Sequence, residues 1–151
     1  MINHQVVIAL GSNLGDREAN ISLALELLRE YLSIEKISTL VETDPVGGPI
    51  QDKYLNAVAI ASTTLDPEAL LIEFHKIERD LGRLRVEING PRTIDIDLIT
   101  YDDLEISNEI VTIPHPRAHL RQFVLAPWFE IEPEGSIPGK GSISALLGQL
   151  K

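Results

Sequence analysis

The sequence contains no cysteine and no long hydrophobic run. Without cysteine the chain can form neither a disulfide nor a thiolate zinc site, which suits a reducing compartment, and we expect a cytoplasmic protein. The apolar segment near the N-terminus, residues 6–10, is too short for a signal peptide or a membrane span. We therefore expect neither a secretion signal nor a membrane partner.

Positive charge is also scarce, because 13 lysines and arginines against 23 acids give a net charge of −10 at pH 7. This balance argues against nonspecific binding to nucleic acid or to anionic lipid. The arginines are unevenly placed: six of the eight lie between residues 79 and 121, and residues 111–129 contain no acid. This basic segment could attract a small anion, and a solvated basic face is the alternative.

The chain of 151 residues, 44% of them hydrophobic, has the length and composition of one globular domain. Apolar periodicity and turn residues predict the order β-α-β-β-α-β, followed by a short strand pair, a helix ending near residue 125 and a terminal helix. This order favours an α+β fold, a ferredoxin-like βαββαβ sandwich with helices packed on an antiparallel sheet, plus a C-terminal extension. The predicted strands cover residues 5–10, 34–43, 55–62, 93–101 and a pair within 105–112, and the predicted helices begin at residues 16, 66 and 142.

Two aspartates, Asp95 and Asp97, lie two residues apart within the last strand of this pattern. Residues i and i+2 of a strand point to one face, so the carboxylates emerge side by side, about 6–7 Å apart. Ile94, Ile96 and Leu98 then point to the opposite face and can enter a core. A fixed carboxylate pair suits one or two Mg²⁺ ions that also bind nucleotide phosphates. An exposed strand face without function is the alternative, although aspartate is depleted in strands.

Arginines flank the aspartate pair on both sides. Arg83, Arg85 and Arg92 lie in or border a polar segment before it, and Arg117 and Arg121 follow it. Guanidinium groups beside a carboxylate-bound metal match the needs of a polyphosphate, and loop arginines could close over one. The pattern favours phosphoryl-type transfer, with a solvated surface loop as the alternative.

Other residues give weaker signals. His115 lies in a rigid Pro-His-Pro turn, where with Arg121 it could bind phosphate oxygens; a zinc site is disfavoured because the histidines lack a ligand spacing. The glycine-containing segment 11–15 lacks the lysine of a P-loop and is interpreted as a tight turn. Tyr54, Asn56 and Phe123 could bind a flat heterocycle through aromatic faces and an amide edge, and ordinary packing is the alternative.

Several short motifs occur in order along nearly the whole chain. The most specific is Gly90-Pro91-Arg92-Thr93-Ile94-Asp95-Ile96-Asp97-Leu98, and the others cover residues 9–16, 42–49, 54–57, 77–78, 82–83, 114–117 and 121–127. Together they resemble the 6-hydroxymethyl-7,8-dihydropterin pyrophosphokinase family of folate biosynthesis. The resemblance implies a monomer with one domain, residues 1–151, in a stand-alone form without a second folate enzyme attached. It also implies transfer of diphosphate from ATP to the pterin hydroxymethyl group, with release of AMP.

The same resemblance implies roles for individual residues. Asp95 and Asp97 look like ligands of two Mg²⁺ ions, and Arg83, Arg92 and Asp97 look catalytic. The positions that match ATP contacts are Glu78, Arg85, Arg92, Leu98, Thr112, His115 and Arg121. The positions that match the pterin pocket are Thr43, Pro45, Val46, Tyr54, Asn56, Asp95 and Phe123.

Two alternative functions remain open from the sequence. A metal-dependent phosphohydrolase or nuclease could use the same two acids with water as the acceptor. A ligand-sensing domain is the other, because ferredoxin-like folds often have that function. The paired acids beside arginines disfavour the sensor, which needs no bound metal.

Overall fold

The structure is a computed structural model that describes residues 2–44, 52–82 and 93–150. The elements up to the aspartate strand are β1 (His4–Ser12), α1 (Arg17–Leu28), β2 (Ser33–Ile37), β3 (Val41–Thr43), β4 (Tyr54–Thr63), α2 (Pro67–Gly82) and β5 (Asp95–Tyr101). The elements after it are β6 (Ile106–Ser107), β7 (Thr112–Ile113), a 3-10 helix (Ala118–Leu120), α3 (Gln122–Ile131), β8 (Ser136–Ile137), β9 (Gly141–Ser142) and α4 (Ile143–Gln149). Within the described ranges, no helix combines the length and apolarity needed to cross a bilayer.

The main sheet is antiparallel and has the strand order β2-β4-β1-β5, with β3 pairing beside β2 along β4. The predicted mixed fold with an antiparallel sheet is therefore confirmed. Strand β1 is central, so that Gly11 lies opposite both Asn56 on β4 and Asp95 on β5. Opposed residues share a face of a sheet, and this register brings side chains of three strands together.

The helix starts predicted at residues 16, 66 and 142 are all present, and the first two are capped by aspartate. The Asp16 side chain accepts a hydrogen bond from the Ala19 amide at 3.1 Å, and Asp66 accepts one from the Ala69 amide at 2.8 Å. Each aspartate thereby satisfies an amide of the first turn, which has no partner within the helix.

Helices α1 and α2 pack on one face of the sheet. Ile94, Ile96 and Leu98 are buried there, as the alternation of the aspartate strand predicted. They contact the apolar stripes of both helices, formed by Ile21, Leu25, Leu28, Leu70, Phe74 and Ile77. The aspartates between them consequently point to the opposite face.

Helices α3 and α4 cover part of that opposite face. Trp128 is 1% exposed and packs with Val58, Ile99 and Ile143. The prediction that the helix ends near residue 125 is wrong, because α3 continues through Pro127 to residue 131. Proline removes one helix hydrogen bond, and burial of the apolar side chains on either side of it offsets that loss.

The predicted single strand over residues 34–43 is also wrong, because the structure divides it into β2 and β3. Between them, the Ser38 hydroxyl accepts a hydrogen bond from the Val58 amide at 2.9 Å. A side chain thus replaces a backbone group of the ladder, and the chain bends before β3 resumes pairing with β4. The hairpin of β8 and β9 was not predicted from the sequence.

Candidate active site

A cleft of about 620 Å³ opens on the part of the second sheet face that α3 and α4 leave uncovered. It lies at the C-terminal end of β1 and the N-terminal ends of β4 and β5, and its volume suits a small-molecule site. Eight of the predicted site residues line it: Thr43, Tyr54, Asn56, Asp95, Asp97, His115, Arg121 and Phe123. The tertiary fold therefore collects residues that lie up to 80 positions apart in the sequence.

Asp95 and Asp97 are half-buried and lie side by side on β5. Their neighbours on β1 are Gly11 and Ala9, whose small size leaves the carboxylates open to the cleft. In the described part of the chain, no three His, Cys, Asp or Glu side chains come together as a metal-binding group. Two carboxylates suit Mg²⁺, which is usually held by one or two carboxylates together with water and substrate phosphates.

Glu78 on α2 holds the aspartate strand from its outer edge. Its Oε2 atom accepts a hydrogen bond from the Ile96 amide at 2.8 Å, and Ile96 is the residue between the two aspartates. Strand β5 is an edge of the main sheet, where an amide would otherwise have no ladder partner. This contact therefore fixes the backbone that carries both carboxylates.

Asn56 is 6% exposed, and its side-chain amide is fixed in orientation. Nδ2 donates a hydrogen bond to the Thr43 hydroxyl oxygen at 2.7 Å on the neighbouring strand β3. A buried amide held on one side can present its remaining groups to the edge of a heterocyclic ring.

Two aromatic residues, Tyr54 and Phe123, also line the cleft. The Arg121 guanidinium carbon lies 5.5 Å from the centroid of the Phe123 ring, which is a cation–π distance. The contact places a permanent positive charge beside a flat apolar surface, an arrangement suited to an aromatic ligand that carries an anionic group.

His115 is anchored to the aspartate strand, because its amide donates to the Ile99 carbonyl at 2.9 Å. The Arg117 amide donates to His115 Nδ1 at 3.1 Å, so that in the neutral ring the proton lies on Nε2. Burial lowers the pKa of His115; Asp97 opposes this shift, and Arg121 and Arg117 add to it. The ring is thus kept as a neutral N–H donor.

The remaining predicted residues lie elsewhere. The Leu98 side chain is buried on the face of α1 and α2, and Thr112 is exposed on β7, outside the cleft lining. A nucleotide contact by Leu98 would therefore involve its backbone. The other predicted residues fall outside the described residues, namely Pro45, Val46, Arg83, Arg85 and Arg92.

Several lining residues were not predicted as site residues. Gly11 and Ala9 lie in β1 opposite the aspartates, and Leu120 and Gln122 lie beside Arg121. Gly11 was interpreted as the start of a turn, whereas β1 continues to residue 12. Two small residues at alternate strand positions can indicate the floor of a site. That indication can be used only when the pairing of β1 with β5 is known.

Comparisons with known proteins identify the family of the chain. The family model for 7,8-dihydro-6-hydroxymethylpterin-pyrophosphokinase (HPPK) matches residues 7–133. The 2-amino-4-hydroxy-6-hydroxymethyldihydropteridine pyrophosphokinase of Aquifex aeolicus is 44% identical over 128 residues, covering 85% of this chain and 80% of the relative. The enzyme of the same name from Bacillus subtilis is 42% identical over 132 residues, covering 86% and 79%.

Solved structures support the fold. The crystal structure of wild-type HPPK-DHPS from Plasmodium falciparum has a TM-score of 0.73 at 17% identity, covering 97% of this chain and 43% of that one. This chain thus spans less than half of that longer protein, and the likeness concerns the fold alone. The family match and the close relatives, in contrast, cover most of this chain. The chain therefore belongs to the HPPK family, the enzymes of folate biosynthesis that transfer pyrophosphate to hydroxymethyldihydropterin.

Proposed function

We propose that this chain transfers diphosphate from ATP to the hydroxymethyl oxygen of 6-hydroxymethyl-7,8-dihydropterin and releases AMP. The observation that carries the proposal is one row of residues across three paired strands, with Asn56 on β4, Gly11 on β1 and Asp95 on β5. A buried amide that can read a ring edge and a carboxylate that can hold a metal thus lie on either side of one small residue. A heterocycle bound at Asn56 would direct its substituent towards the aspartates.

Asp95 and Asp97 are the residues proposed to hold magnesium, with two ions expected. The donor set supports this assignment, because both groups are carboxylates, both are half-buried, and both are open to the cleft. When bound, Mg²⁺ supplies charge neutralisation on the phosphates and polarisation of the attacking hydroxyl. Asp97 is also the candidate acceptor of the hydroxyl proton.

The pterin is proposed to lie between the aromatic side chains of Tyr54 and Phe123, with its edge on Asn56. Thr43 supports this position, because its hydroxyl already holds the Asn56 amide at 2.7 Å. The pterin contacts expected of Pro45 and Val46 lie outside the described residues and remain proposals from the family resemblance.

The triphosphate is proposed to lie against the basic side of the cleft. His115 offers a neutral N–H donor there, and Arg121 offers a positive charge. Donors fixed before the reaction stabilise developing charge without reorganisation. Further nucleotide contacts are proposed for Glu78, Leu98 and Thr112, and for the arginines outside the described residues, Arg83, Arg85 and Arg92.

In this mechanism the pterin hydroxyl oxygen attacks the β-phosphorus of ATP in line with the bond to the α-phosphate oxygen. The new O–Pβ bond forms as that bridging bond breaks, and its electron pair leaves with AMP. The protein contributes alignment of the two substrates and neutralisation of charge.

The fold is proposed to be the ferredoxin-like type with a C-terminal extension, acting as a single-domain monomer. The order β2-β4-β1-β5 with antiparallel pairing and two helices on one face supports this assignment. Sedimentation at micromolar concentration tests the monomeric state, which a dimer would contradict.

Product analysis tests the function. Purified protein is incubated with ATP and Mg²⁺, with and without 6-hydroxymethyl-7,8-dihydropterin, and the nucleotides are separated. AMP that forms only when the pterin is present supports the proposal. ADP would indicate ordinary kinase chemistry, product without pterin would indicate hydrolysis, and no product would favour the sensor.

A further inference from the structure

Gly11 occupies the middle of the cleft floor. It lies within β1, and its backbone is not among the positive-φ positions, which in the described chain are Asp102, Gly15, Gly139 and Gly141. No turn therefore requires glycine at this position. Glycine weakens a strand interior, and its presence there often marks a place where another group must approach closely.

The space around Gly11 is taken by pterin-side residues. A Cβ atom built on Gly11 would lie 3.0 Å from Asn56 Oδ1 and 3.4 Å from Tyr54 Cδ1. The Asn56 amide has little freedom to retreat, because Nδ2 is bonded to the Thr43 hydroxyl at 2.7 Å and lies 3.4 Å from the Val41 carbonyl. Even a methyl group at position 11 would displace the amide or break its bond to Thr43.

We propose that Gly11 is a positioning residue that determines specificity for the heterocyclic substrate. By lacking a side chain, it lets the Asn56 amide stay in the orientation that Thr43 fixes, and it leaves the strand backbone open beneath a flat ring. This inference rests on the proposed function and adds the residue that acts through Asn56.

The geometry also predicts which substrate is affected. The nearest side chains to the Gly11 Cβ position are Asn56 and Tyr54, whereas His115 and Arg121 are not among its three nearest atoms. A substitution at position 11 is therefore expected to weaken pterin binding and to leave nucleotide binding intact.

The test compares Gly11→Ala with a matched glycine variant. Gly148→Ala is the control, because a Cβ there meets nothing within 4 Å. The dissociation constants of 6-hydroxymethyl-7,8-dihydropterin and of α,β-methylene ATP with Mg²⁺ are measured by calorimetry, together with KM, kcat and the melting temperature. Gly11→Ala is expected to raise the pterin Kd and KM about tenfold or more, the size of effect one methyl group can have in a pocket. The nucleotide Kd stays within about twofold, and Gly148→Ala binds both ligands as wild type does.

A second test repeats the Gly11→Ala substitution in an Asn56→Ser variant, to show whether Gly11 acts through Asn56. Asn56→Ser shortens the side chain that the new methyl group would contact. In that background, Gly11→Ala is expected to change the pterin Kd by less than about twofold, because interacting residues are not additive. An equal loss in both backgrounds would overturn the positioning role. If Gly11→Ala alone melts far below wild type, recovery of the melting temperature in the double variant supports the contact and no recovery overturns it.

The two proposals fail separately. A wild-type protein that makes no pterin-dependent AMP contradicts the proposed function. An active wild type beside a folded Gly11→Ala protein with unchanged pterin affinity contradicts only the role of Gly11.

Discussion

One face of the main sheet has a half that is covered by α3 and α4 and a half that is open as the cleft. On each strand, the residues of the two halves lie only two positions apart. Under α3 and α4, strands β1, β4 and β5 present Val7, Val58 and Ile99, which are buried. Two residues away on the same strands, in the cleft, the corresponding side chains are Ala9, Asn56 and Asp97. Residues at i and i+2 share a face, so that one surface is a hydrophobic core in one half and a polar site in the other. The extent of the C-terminal helices determines which half remains open.

This comparison implies that the residues important for stability and those important for catalysis lie in different halves of this sheet face. Changes in the covered half should alter stability, and changes in the open half should alter catalysis at nearly constant stability. Phe123 belongs to both, because it packs against the buried cluster and lines the cleft.

The largest effect is expected from Asp97→Asn. The variant keeps the shape but loses a charge proposed to hold magnesium, so kcat should fall by orders of magnitude while pterin binding and the melting temperature change little. Steady-state kinetics, calorimetry and thermal unfolding measure these quantities. The control is Asp103→Asn, an exposed residue beyond the far end of β5, which should behave as wild type. A comparable loss of pterin affinity in Asp97→Asn would contradict the separation.

The converse test is Trp128→Ala in the covered half. Removing this buried ring should lower the free energy of unfolding by about 3–5 kcal/mol. The hydrogen bond from Trp128 Nε1 to Glu132 at 2.9 Å is lost as well. Urea unfolding measures the loss, and Trp128→Phe should recover much of it. At a temperature where the variant is folded, its KM values should match wild type; a large change in KM would break the comparison.

A smaller effect is expected from Glu78→Ala, because it leaves the Ile96 amide without its acceptor. An unsatisfied, partly buried amide costs about 1–3 kcal/mol, and the loosened strand should also lower kcat. Glu78→Gln keeps a carbonyl acceptor and separates the hydrogen bond from the charge. If Glu78→Gln has the unfolding free energy and the kcat of wild type, the main role of Glu78 is its hydrogen bond to the strand. If Gln restores stability alone, the charge acts on the reaction.

The smallest effect is a pH dependence at the end of β5 remote from the aspartates. Burial, followed by Asp102 and Asp66, raises the pKa of Tyr101 above its usual 10.0. The native chain therefore keeps a proton that the unfolded chain releases, and this stabilisation is present below pH 10 and lost as pH rises towards the native pKa.

In Tyr101→Phe, the decline of the unfolding free energy between about pH 9 and 11 should be less steep than in wild type. The variant should also lose about 1 kcal/mol at neutral pH with the hydrogen bond to the Leu65 carbonyl. Tyr31→Phe is measured in parallel, because a hydrogen bond to Glu73 also raises the pKa of Tyr31. Equal slopes for wild type and Tyr101→Phe would show that Tyr101 does not contribute.

Much of this arrangement could be predicted from local sequence patterns. Alternation placed Asp95 and Asp97 on one face and Ile96 on the other, and the capping residue Asp16 marked a helix start. The unpredicted features depend on contacts between distant segments. The Ser38 hydroxyl divides a strand because it meets Val58, and the fit of Gly11 beside Asn56 exists only once β1 pairs with β4.

The bare backbone at Gly11 has a consequence for inhibitor resistance. A planar inhibitor bound above this residue would contact main-chain atoms, which no substitution can delete. The simplest mutation that could exclude such a compound is a larger residue at position 11, and its first carbon would lie 3.0 Å from the Asn56 oxygen. Escape by that route would weaken the binding of the natural substrate together with the drug.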